Sequence, residues 1–372
     1  MVASRLPPLP PIRDLIRVYG LSASQKFSQN FILDKNVTGL HDTSSFFVLI
    51  QVELFSNQEP SMLFCSRFEL DTIVRYAKIS PMDDLVVEVG PGPGLLTRSI
   101  LDAGARRVIA VEKDSRFMPA LQQLSEAADH RLGIIQGDML KLEHSQIMES
   151  ALALPALASS SASSENILEK LALQGDASQH SLDPNNATIR LVGNLPFGVA
   201  SPLLIQWLKM MALREGIFRT QNKVSMTLMF QREVAEAIAA PPKHPERGRL
   251  SVMAQSICDV KLVYKVSGTT FVPRPRVNAA VVHFEKRAEP LVPGSLDKLE
   301  DVVRFYFNKR RKTMGHNTNR MVKAVPELQD VIAEWQAMHF WDAGLRAQDV
   351  TTEQYCALAR MLDEGRFNIP LT

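Results

Sequence analysis

The chain has 372 residues and a nearly balanced charge, with 42 Lys and Arg against 40 Asp and Glu and a formal net charge of +2. Apolar residues make up 45% and charged residues 22%, ordinary proportions for a folded chain, which exclude disorder throughout. No window approaches about 20 uncharged apolar residues, so no bilayer span is predicted. The three cysteines lie far apart without a CxxC motif or a nearby His pair, which argues against a disulfide framework or structural zinc and suits a reducing compartment.

The N-terminal region carries two expectations. Ile12 to Tyr19 reads as a short amphipathic helix containing Arg13 and Arg17, and it is either a mitochondrial presequence or an ordinary helix leading into a domain. Residues 39–70 mix apolar and polar side chains without a period. They are expected to be an insertion, either genuine or an artefact of the gene model.

Strand and helix patterns alternate from residue 73 onward. Buried-strand runs are predicted at 85–89, 108–111, 132–135, 189–192 and 223–230, and helices from near 71, at 95–103, 117–128, 202–211 and 233–240. Repeated βαβ units of this kind predict an α/β fold with a mostly parallel sheet and helices on both faces. Two later runs, 261–266 and 279–284, are predicted to complete the sheet as an antiparallel edge.

Two composition changes suggest the domain organisation. Residues 144–187 are rich in Ala, Ser and Leu and are predicted to be a loosely ordered surface insertion. After Pro293 the pattern is purely helical, so a boundary is predicted near residue 288. The expected domains are 1–288 and a helical, RNA-binding 289–372.

A glycine-rich turn joins the first predicted strand to its helix, with the sequence Gly90-Pro-Gly-Pro-Gly94. Glycines let the backbone pass close to a ligand, and dinucleotide enzymes use a similar turn. The prolines remove amide donors that a pyrophosphate would need. A nucleoside without phosphate is therefore the expected ligand.

Two acids follow the next two strands. Glu112, at the end of the second strand, is placed to accept hydrogen bonds from ribose hydroxyls. Asp138, after the third strand, is placed to accept one from the amino group of adenine. Each acid alone could be a solvated loop carboxylate, but their order after the glycines predicts an adenosine-bearing, phosphate-free ligand, S-adenosylmethionine (SAM).

The fourth strand ends in Asn194-Leu-Pro-Phe197. Asn194 can present an amide oxygen to an exocyclic amine, and Phe197 can supply a face on which a base stacks. The alternative is a loop with one buried aromatic residue.

A basic stretch, 302–326, contains seven Lys or Arg residues and no acid, with aromatic residues interleaved. Such a stretch is usually a solvated helix face, but this charge excess predicts a phosphate-binding surface centred on Arg310, Arg311 and Lys312. Four further arginines were expected to extend it, namely Arg247, Arg249, Arg274 and Arg276.

Together these motifs resemble the ribosomal RNA adenine dimethyltransferases (KsgA family). The matching segments, in the family's order, are 28–34, 90–94, 111–114, 194–197, 271–277 and 307–313. Segments 5–10 and 111–117 look most like the mitochondrial branch, mitochondrial transcription factor B. The resemblance covers about 5–38 and 71–320 apart from the insertion. It implies a class I SAM-dependent methyltransferase domain, Rossmann-like, with a small C-terminal helical domain.

The resemblance also implies roles for individual residues. Cofactor contacts are implied for Gln29, Ile32, Gly90, Glu112, Lys113, Asp138, Met139 and Asn194. Catalytic positioning of the target adenine is implied for Asn194, Leu195, Phe197 and Phe271. The two phenylalanines would sandwich the base, and no metal is expected.

The implied activity is dimethylation of two adjacent adenines in a hairpin loop of small-subunit rRNA, by a monomer in the mitochondrial matrix. The implied partners are that rRNA and the pre-ribosomal small subunit, with the mitochondrial transcription machinery as a further one. The alternatives are a non-catalytic transcription or ribosome-assembly factor and a DNA adenine methyltransferase. Intact Glu112, Asp138 and 194–197 favour an enzyme, and the matches at 271–277 and 307–313 favour rRNA.

Overall fold

The protein is described by a computed structural model. The residues that it describes are 6, 67–154, 182–195, 197–219, 221–267, 278–292, 294–338 and 342–369. They form two compact units, the first containing the described residues up to 194 together with 221–224, and the second containing the others.

The first unit is built on parallel strands. Its strands are β1 (Leu85–Val89), β2 (Val108–Glu112), β3 (Leu132–Gln136) and β4 (Thr188–Gly193), and its helices are α1 (Arg67–Tyr76), α2 (Leu95–Asp102), α3 (Met118–Ala127) and α4 (His144–Ala153). β1 pairs in parallel with β2 and β4, and β2 with β3. Every residue of β1 and β2 is buried, as expected for strands covered on both faces. The predicted strands of this unit are confirmed to within two residues.

The second unit combines antiparallel strands with helices. Its elements in chain order are α5 (Phe197–Leu213), β5 (Lys223–Gln231, which starts in the first unit), α6 (Arg232–Ala239), α7 (Arg249–Ile257), β6 (Cys258–Val266), β7 (Ala279–Lys286), α8 (Asp297–Asn308), α9 (Met314–Ala324), α10 (Gln329–Met338) and α11 (Thr352–Glu364). β7 runs antiparallel to β5 and β6, which confirms the predicted antiparallel edge. The strand order of the seven-stranded sheet is β3-β2-β1-β4-β5-β7-β6.

Three fully buried aromatic residues, Tyr306, Trp335 and Tyr355, join the last helices of the second unit. The centroid of the Tyr306 ring lies 6.5 Å from that of Trp335 and 6.0 Å from that of Tyr355. Each polar end is hydrogen-bonded: the hydroxyl of Tyr306 to Thr318, the indole N–H of Trp335 to a carbonyl, and the hydroxyl of Tyr355 to a carbonyl. Burial of these large rings therefore leaves none of their polar atoms unsatisfied.

The predicted insertion at 144–187 was wrong in its first part. Residues 144–153 form α4, which packs against β2 and β3 and fully buries Ile147 and Ala151. These residues are four apart, so they share one helix face, and the Ala-rich composition concealed a crossover helix. Residues 155–181 lie outside the described part of the chain.

The predicted insertion at 39–70 also extended too far. α1 begins at Arg67, and Leu70 in its first turn is buried. The expected start near residue 71 missed this turn, because a helix boundary is poorly marked by periodicity alone. The rest of the segment, like the expected helix from Ile12 to Tyr19, lies outside the described residues.

Two helices of the second unit differ from expectation. α5 begins at Phe197 and carries Pro202 inside it, whereas the sequence predicts a start at this proline. α7 was not predicted, since the apolar positions of this helix are interrupted by Ser251 and Ser256. Both serines are buried, with hydroxyls that donate to backbone carbonyls.

The boundary predicted near residue 288 does not coincide with the division between the two units, because α8 to α11 cluster with β5 to β7. That 1–288 and 289–372 are domains with separate roles stays a prediction. None of the helices in the described ranges has the length and apolar character needed to cross a membrane.

Candidate active site

The chemistry-bearing residues of the first unit follow the carboxyl ends of its parallel strands. Val89, the last residue of β1, is aligned with Val111 in β2 and Gly193 in β4. The glycine turn, Glu112 and Asn194 therefore lie at one edge of the sheet, where open α/β sheets bind ligands. The sequence prediction that these motifs belong to one site is supported by this register.

The turn at 90–94 offers no main-chain donor to a phosphate. The N–H of Gly90 donates to the Val111 carbonyl at 3.0 Å, and the N–H of Gly94 donates to the Pro91 carbonyl at 3.0 Å. The N–H of Gly92 donates to Glu112 Oε2 at 2.9 Å, and the two prolines have none. The site therefore does not suit a pyrophosphate, in agreement with the ligand class predicted from the prolines.

The glycines of this turn are required for different reasons. Gly90 and Gly92 have φ of +70° and +55°, and no atom of the described chain lies within 4 Å of where a Cβ would be. Their backbone thus faces open space that a ligand can approach closely. Gly94 has φ of +85°, and a Cβ there would lie 2.8 Å from a methyl carbon of Leu124. Its role is to let α2 pack closely against α3.

Glu112 connects the glycine turn to the end of β2. It is 7% exposed, and besides Gly92 it accepts a hydrogen bond at Oε1 from the N–H of Asp114, at 2.8 Å. Burial raises the pKa of this carboxyl, and the backbone N–H groups partly offset that effect. Each oxygen retains a second lone pair, so the same carboxylate can also accept from a ribose hydroxyl.

Glu88, the next-to-last residue of the buried strand β1, is a candidate that the sequence reasoning missed. It is 1% exposed, and neither carboxylate oxygen has a hydrogen-bond partner among the described residues. Burial raises the pKa of Glu88 to about 8. The nearby Thr97 lowers this pKa in part, and the charge of Glu112 raises it further. The available signal was an acid within an apolar run directly before a glycine turn, since such a buried acid needs a partner.

Asp138 and Lys113, predicted to flank the adenine of a cofactor, are brought together. Lys113 Nζ lies 3.1 Å from Asp138 Oδ2, and the N–H of Leu140 donates to Asp138 Oδ1 at 3.1 Å. Partial burial raises the pKa of Asp138, but these hydrogen bonds outweigh it and hold the pKa below its ordinary value. Met139, the residue after Asp138, is buried. The carboxylate is therefore ionised and acts as an acceptor.

Asn194 directly follows β4 and is buried, and Leu195 after it is buried as well. The remaining predicted residues of the site cannot be placed. The side chain of Phe197, at the start of α5, and the whole of Gln29, Ile32 and Phe271 lie outside the described residues. Their roles stay predictions.

Arg310, Arg311 and Lys312 are exposed in the turn between α8 and α9 of the second unit. Arg310 Nη2 donates to the Pro245 carbonyl at 2.6 Å. Two other arginines of the basic stretch are engaged within the protein: Arg304 with Glu300 at 2.8 Å, and Arg320 over the ring of Phe305 at 4.3 Å. The exposed charge is thus concentrated in the turn.

Arg247, expected to extend the basic surface, is fully buried, and that expectation was wrong. Its guanidinium donates to the Ala240 carbonyl at 2.9 Å and to Gln255 Oε1 and Thr352 Oγ1, each at 2.8 Å. A planar guanidinium with five donors can join several segments at once, which makes this arginine structural. Arg249 is exposed, and Arg274 and Arg276 lie outside the described residues.

Taken as a donor and acceptor set, this edge of the first unit fits SAM. It combines two buried carboxylates, an ionised third one and two glycines with open space where a Cβ would be, without a main-chain donor for phosphate in the turn. SAM carries ribose hydroxyls, an adenine amino group and an ammonium group on its amino-acid part. Each of these needs an acceptor.

Comparison with known proteins agrees with this geometry. The family model described as Ribosomal RNA adenine dimethylase matches residues 63–364. Several relatives are named "Dimethyladenosine transferase 1, mitochondrial". The one from Caenorhabditis elegans is 37% identical over 88% of this chain and 75% of its own length. The one from Homo sapiens is 34% identical over 97% of this chain and 88% of its own length. The one from Vermamoeba vermiformis is 35% identical over 96% of this chain and 95% of its own. The chain groups with these mitochondrial members.

Solved structures show the same fold. A dimethyladenosine transferase from Plasmodium falciparum has a TM-score of 0.56 at 19% identity, covering 81% of this chain and 97% of that one. The 23S rRNA methyltransferase ErmE has a TM-score of 0.53 at 23% identity, covering 81% of this chain and 100% of its own. The class I SAM-dependent methyltransferase fold predicted from the sequence is confirmed. The chain therefore belongs to the ribosomal RNA adenine dimethylase family and is a SAM-dependent rRNA adenine dimethyltransferase.

Proposed function

We propose that the protein dimethylates the exocyclic amines of two adjacent adenines in a hairpin loop of small-subunit rRNA, acting as a monomer in the mitochondrial matrix. The observation that carries the proposal is the edge of the first unit where the glycine turn, Glu112, Asp138 and Asn194 follow neighbouring strands. The pre-ribosomal small subunit is the proposed partner, with the mitochondrial transcription machinery as a second. A purely non-catalytic factor is not favoured, because it would need none of these side chains.

The buried carboxylates support a division of roles toward the cofactor. SAM supplies the methyl group, activated as a sulfonium. Glu112 accepts from the ribose hydroxyls, and Asp138 from the adenine amino group, with Lys113 keeping its carboxylate ionised. The carboxylate of Glu88, which has no hydrogen-bond partner among the described residues, is the acceptor for the ammonium group of the amino-acid part. This pairing offsets the cost of burying an acid without a partner.

The target amine requires orientation more than a strong base. The lone pair of an adenine amine is delocalised into the ring, so the nitrogen is a poor nucleophile. Acceptance of hydrogen bonds from this amine by the Asn194 amide oxygen and the Leu195 carbonyl favours a nitrogen aimed at the methyl group. The proton leaves after methyl transfer, so the main contribution is proximity and orientation. Phe197 and Phe271 are proposed to hold the base after it is flipped out of its stack.

Arg310, Arg311 and Lys312 are proposed to contact the phosphates of the rRNA. Their exposure supports this role, because a solvated cation can neutralise a phosphate without breaking a contact of the folded protein. Arg310 keeps most of its five donors after donating to the Pro245 carbonyl.

The test is methyl incorporation from labelled SAM into a small-subunit rRNA hairpin with two adjacent loop adenines, compared with the same hairpin carrying guanines there. The wild-type protein should methylate only the adenine hairpin. Asn194→Ala should lower kcat by about tenfold or more, since one oriented hydrogen bond is worth about 1–3 kcal/mol when left unpaired. Asn186→Ala, an exposed asparagine before β4, is the matched control and should keep wild-type kcat. Binding of SAM without methylation of the adenine hairpin would contradict the proposed substrate.

A further inference from the structure

Three loops of the second unit lie against one another. The loop 241–248 follows α6, the turn 309–313 connects α8 and α9, and the loop 342–349 precedes α11. The N–H of Lys243 donates to the Gln348 carbonyl at 2.9 Å, which joins the first loop to the third. Arg310 joins the first to the second through Pro245, and Thr313 forms a bridge with Arg346 that joins the second to the third. Segments about 100 residues apart in sequence thus form one surface.

This three-loop basic surface carries an excess of positive charge. Its six exposed cations are Lys243, Lys309, Arg310, Arg311, Lys312 and Arg346. They outnumber its three acids, Glu246, Asp342 and Asp349, and two of these acids accept hydrogen bonds from backbone N–H groups of their own loop. The large exposed apolar side chains of the described residues all lie elsewhere in the chain.

The surface is held in shape from inside. Arg247, near the end of the first loop, is buried and joins the end of α6, α7 and the start of α11 through its three hydrogen bonds. Lys243 has φ of +70°, a conformation in which glycine or asparagine would be less strained. The backbone conformation therefore does not favour a lysine at position 243. What lysine has and glycine or asparagine lacks is an ammonium group, which is exposed here.

We propose that the three-loop basic surface binds the phosphate backbone of the base-paired stem of the rRNA, with Lys243 and Arg346 as contacts in addition to those in the turn. This inference rests on the proposed function and names two further segments of the RNA-binding site. Contacts to phosphate come from exposed Lys and Arg and need no apolar anchor, whereas the core of a protein interface is built on buried aromatic and apolar residues. The composition of the surface therefore favours RNA over a protein partner.

The test measures binding of a fluorescently labelled RNA stem that lacks the adenine loop, as a function of salt concentration. Lys243→Gln/Arg346→Gln should reduce the slope of log affinity against log salt by about 1.4 to 1.8, since each lost contact contributes about 0.7 to 0.9. The KM for the complete hairpin should rise severalfold, and SAM affinity should stay at the wild-type value because neither side chain belongs to the first unit. Gln is chosen because it has no branch at Cβ to worsen the strain at position 243.

The matched control is Lys261→Gln/Arg360→Gln, which removes the same charge from exposed positions on β6 and α11 and should keep the wild-type slope. If the Lys243→Gln/Arg346→Gln protein kept the wild-type slope of RNA affinity against salt, the inference would be overturned. The surface would then contact solvent or an acidic protein instead of RNA. That result together with normal methylation of the adenine hairpin would leave the proposed function standing. A reduced slope in a protein whose wild type fails to methylate the hairpin would retain the surface and contradict the proposed function.

Discussion

Glu112 has two tasks at the residue scale, because the carboxylate that is proposed to accept from the ribose already holds the N–H groups of Gly92 and Asp114. Its replacement by Ala therefore affects both the ligand and the turn. We expect Glu112→Ala to weaken SAM binding by about fivefold or more, since two lost hydrogen bonds are worth about 0.5–1.5 kcal/mol each. Titration calorimetry measures this directly.

The control for Glu112 is Glu126→Ala, an exposed acid on α3 in the same unit. It should bind SAM as the wild type does. Unchanged SAM affinity in a folded Glu112→Ala protein would show that the carboxylate does not contact the cofactor.

Glu88 predicts a pH dependence of stability. Burial raises its pKa from 4.5 to about 8, and burial raises the pKa of Glu112 in the same direction. Between these values the folded protein retains a proton that the unfolded chain has lost, so the free energy of unfolding falls as pH rises through this window. Glu88→Gln resembles the protonated acid and removes the Glu88 contribution. The wild-type slope should then be steeper than that of the variant by up to about 1.4 kcal/mol per pH unit.

Urea unfolding at several pH values between about 5 and 8 checks this prediction. Glu126→Gln, with its exposed side chain, should follow the wild-type curve. Parallel curves for wild type and Glu88→Gln would mean that Glu88 is already ionised in the folded protein, with a partner that compensates its burial.

The loops and helices of the second unit depend on Arg247 at the element scale. Its buried guanidinium holds the Ala240 carbonyl, Gln255 and Thr352, which belong to three different parts of the chain. Arg247→Met keeps an unbranched side chain but removes the three hydrogen bonds that the guanidinium donates. We expect the free energy of unfolding to fall by at least about 2 kcal/mol, because hydrogen bonds to a charged group are worth about 1.5–3 kcal/mol each.

Urea unfolding of Arg247→Met can be compared with that of Arg249→Met, two positions further along and exposed. The exposed substitution should stay within about 0.5 kcal/mol of the wild type. Equal losses in both variants would show that the buried hydrogen bonds contribute nothing specific.

The segment before α1 gives a prediction for the whole molecule. Long surface insertions cost little, since the entropy of loop closure grows only logarithmically with length. Residues 39–66 also carry apolar side chains, among them Phe46, Phe47 and Ile50, which favour aggregation if they are exposed. Deletion of 39–66 should leave SAM affinity and adenine methylation unchanged or improved, as measured by calorimetry and methyl incorporation under matched conditions.

Deletion of 39–70 is the informative comparison, because it also removes the first turn of α1 and the buried Leu70. This longer deletion should lower the melting temperature, since loss of a buried Leu side chain costs about 2–5 kcal/mol. A soluble, folded protein without 39–66 that had lost SAM binding would show that the segment is part of the site.

The sequence by itself determined the α/β class, the strands of the first unit, the antiparallel edge and the family. These depend on local signals: short, mainly apolar runs such as Leu85–Val89 mark buried strands, and the prolines of the glycine turn disfavour a pyrophosphate because they lack N–H donors. The shared edge at which Glu112, Asp138 and Asn194 lie was predicted as well, because carboxyl ends of parallel strands meet at one edge, while their role as one site stays a prediction. Helix limits were less certain, since α7 and the first turns of α1 and α5 lack a strong period.

Only the tertiary structure decided which polar side chains have partners. Arg247 looks like its exposed neighbour Arg249 in the sequence, yet its guanidinium is buried against a helix about 100 residues away. Glu88 could be placed in a strand, but the absence of a hydrogen-bond partner among the described residues appears only when the surrounding chain is in position. The same holds for Lys243 and Arg346, which distant loops bring to one surface. Burial and pairing are properties of contacts between segments far apart in sequence, and local pattern carries no record of them.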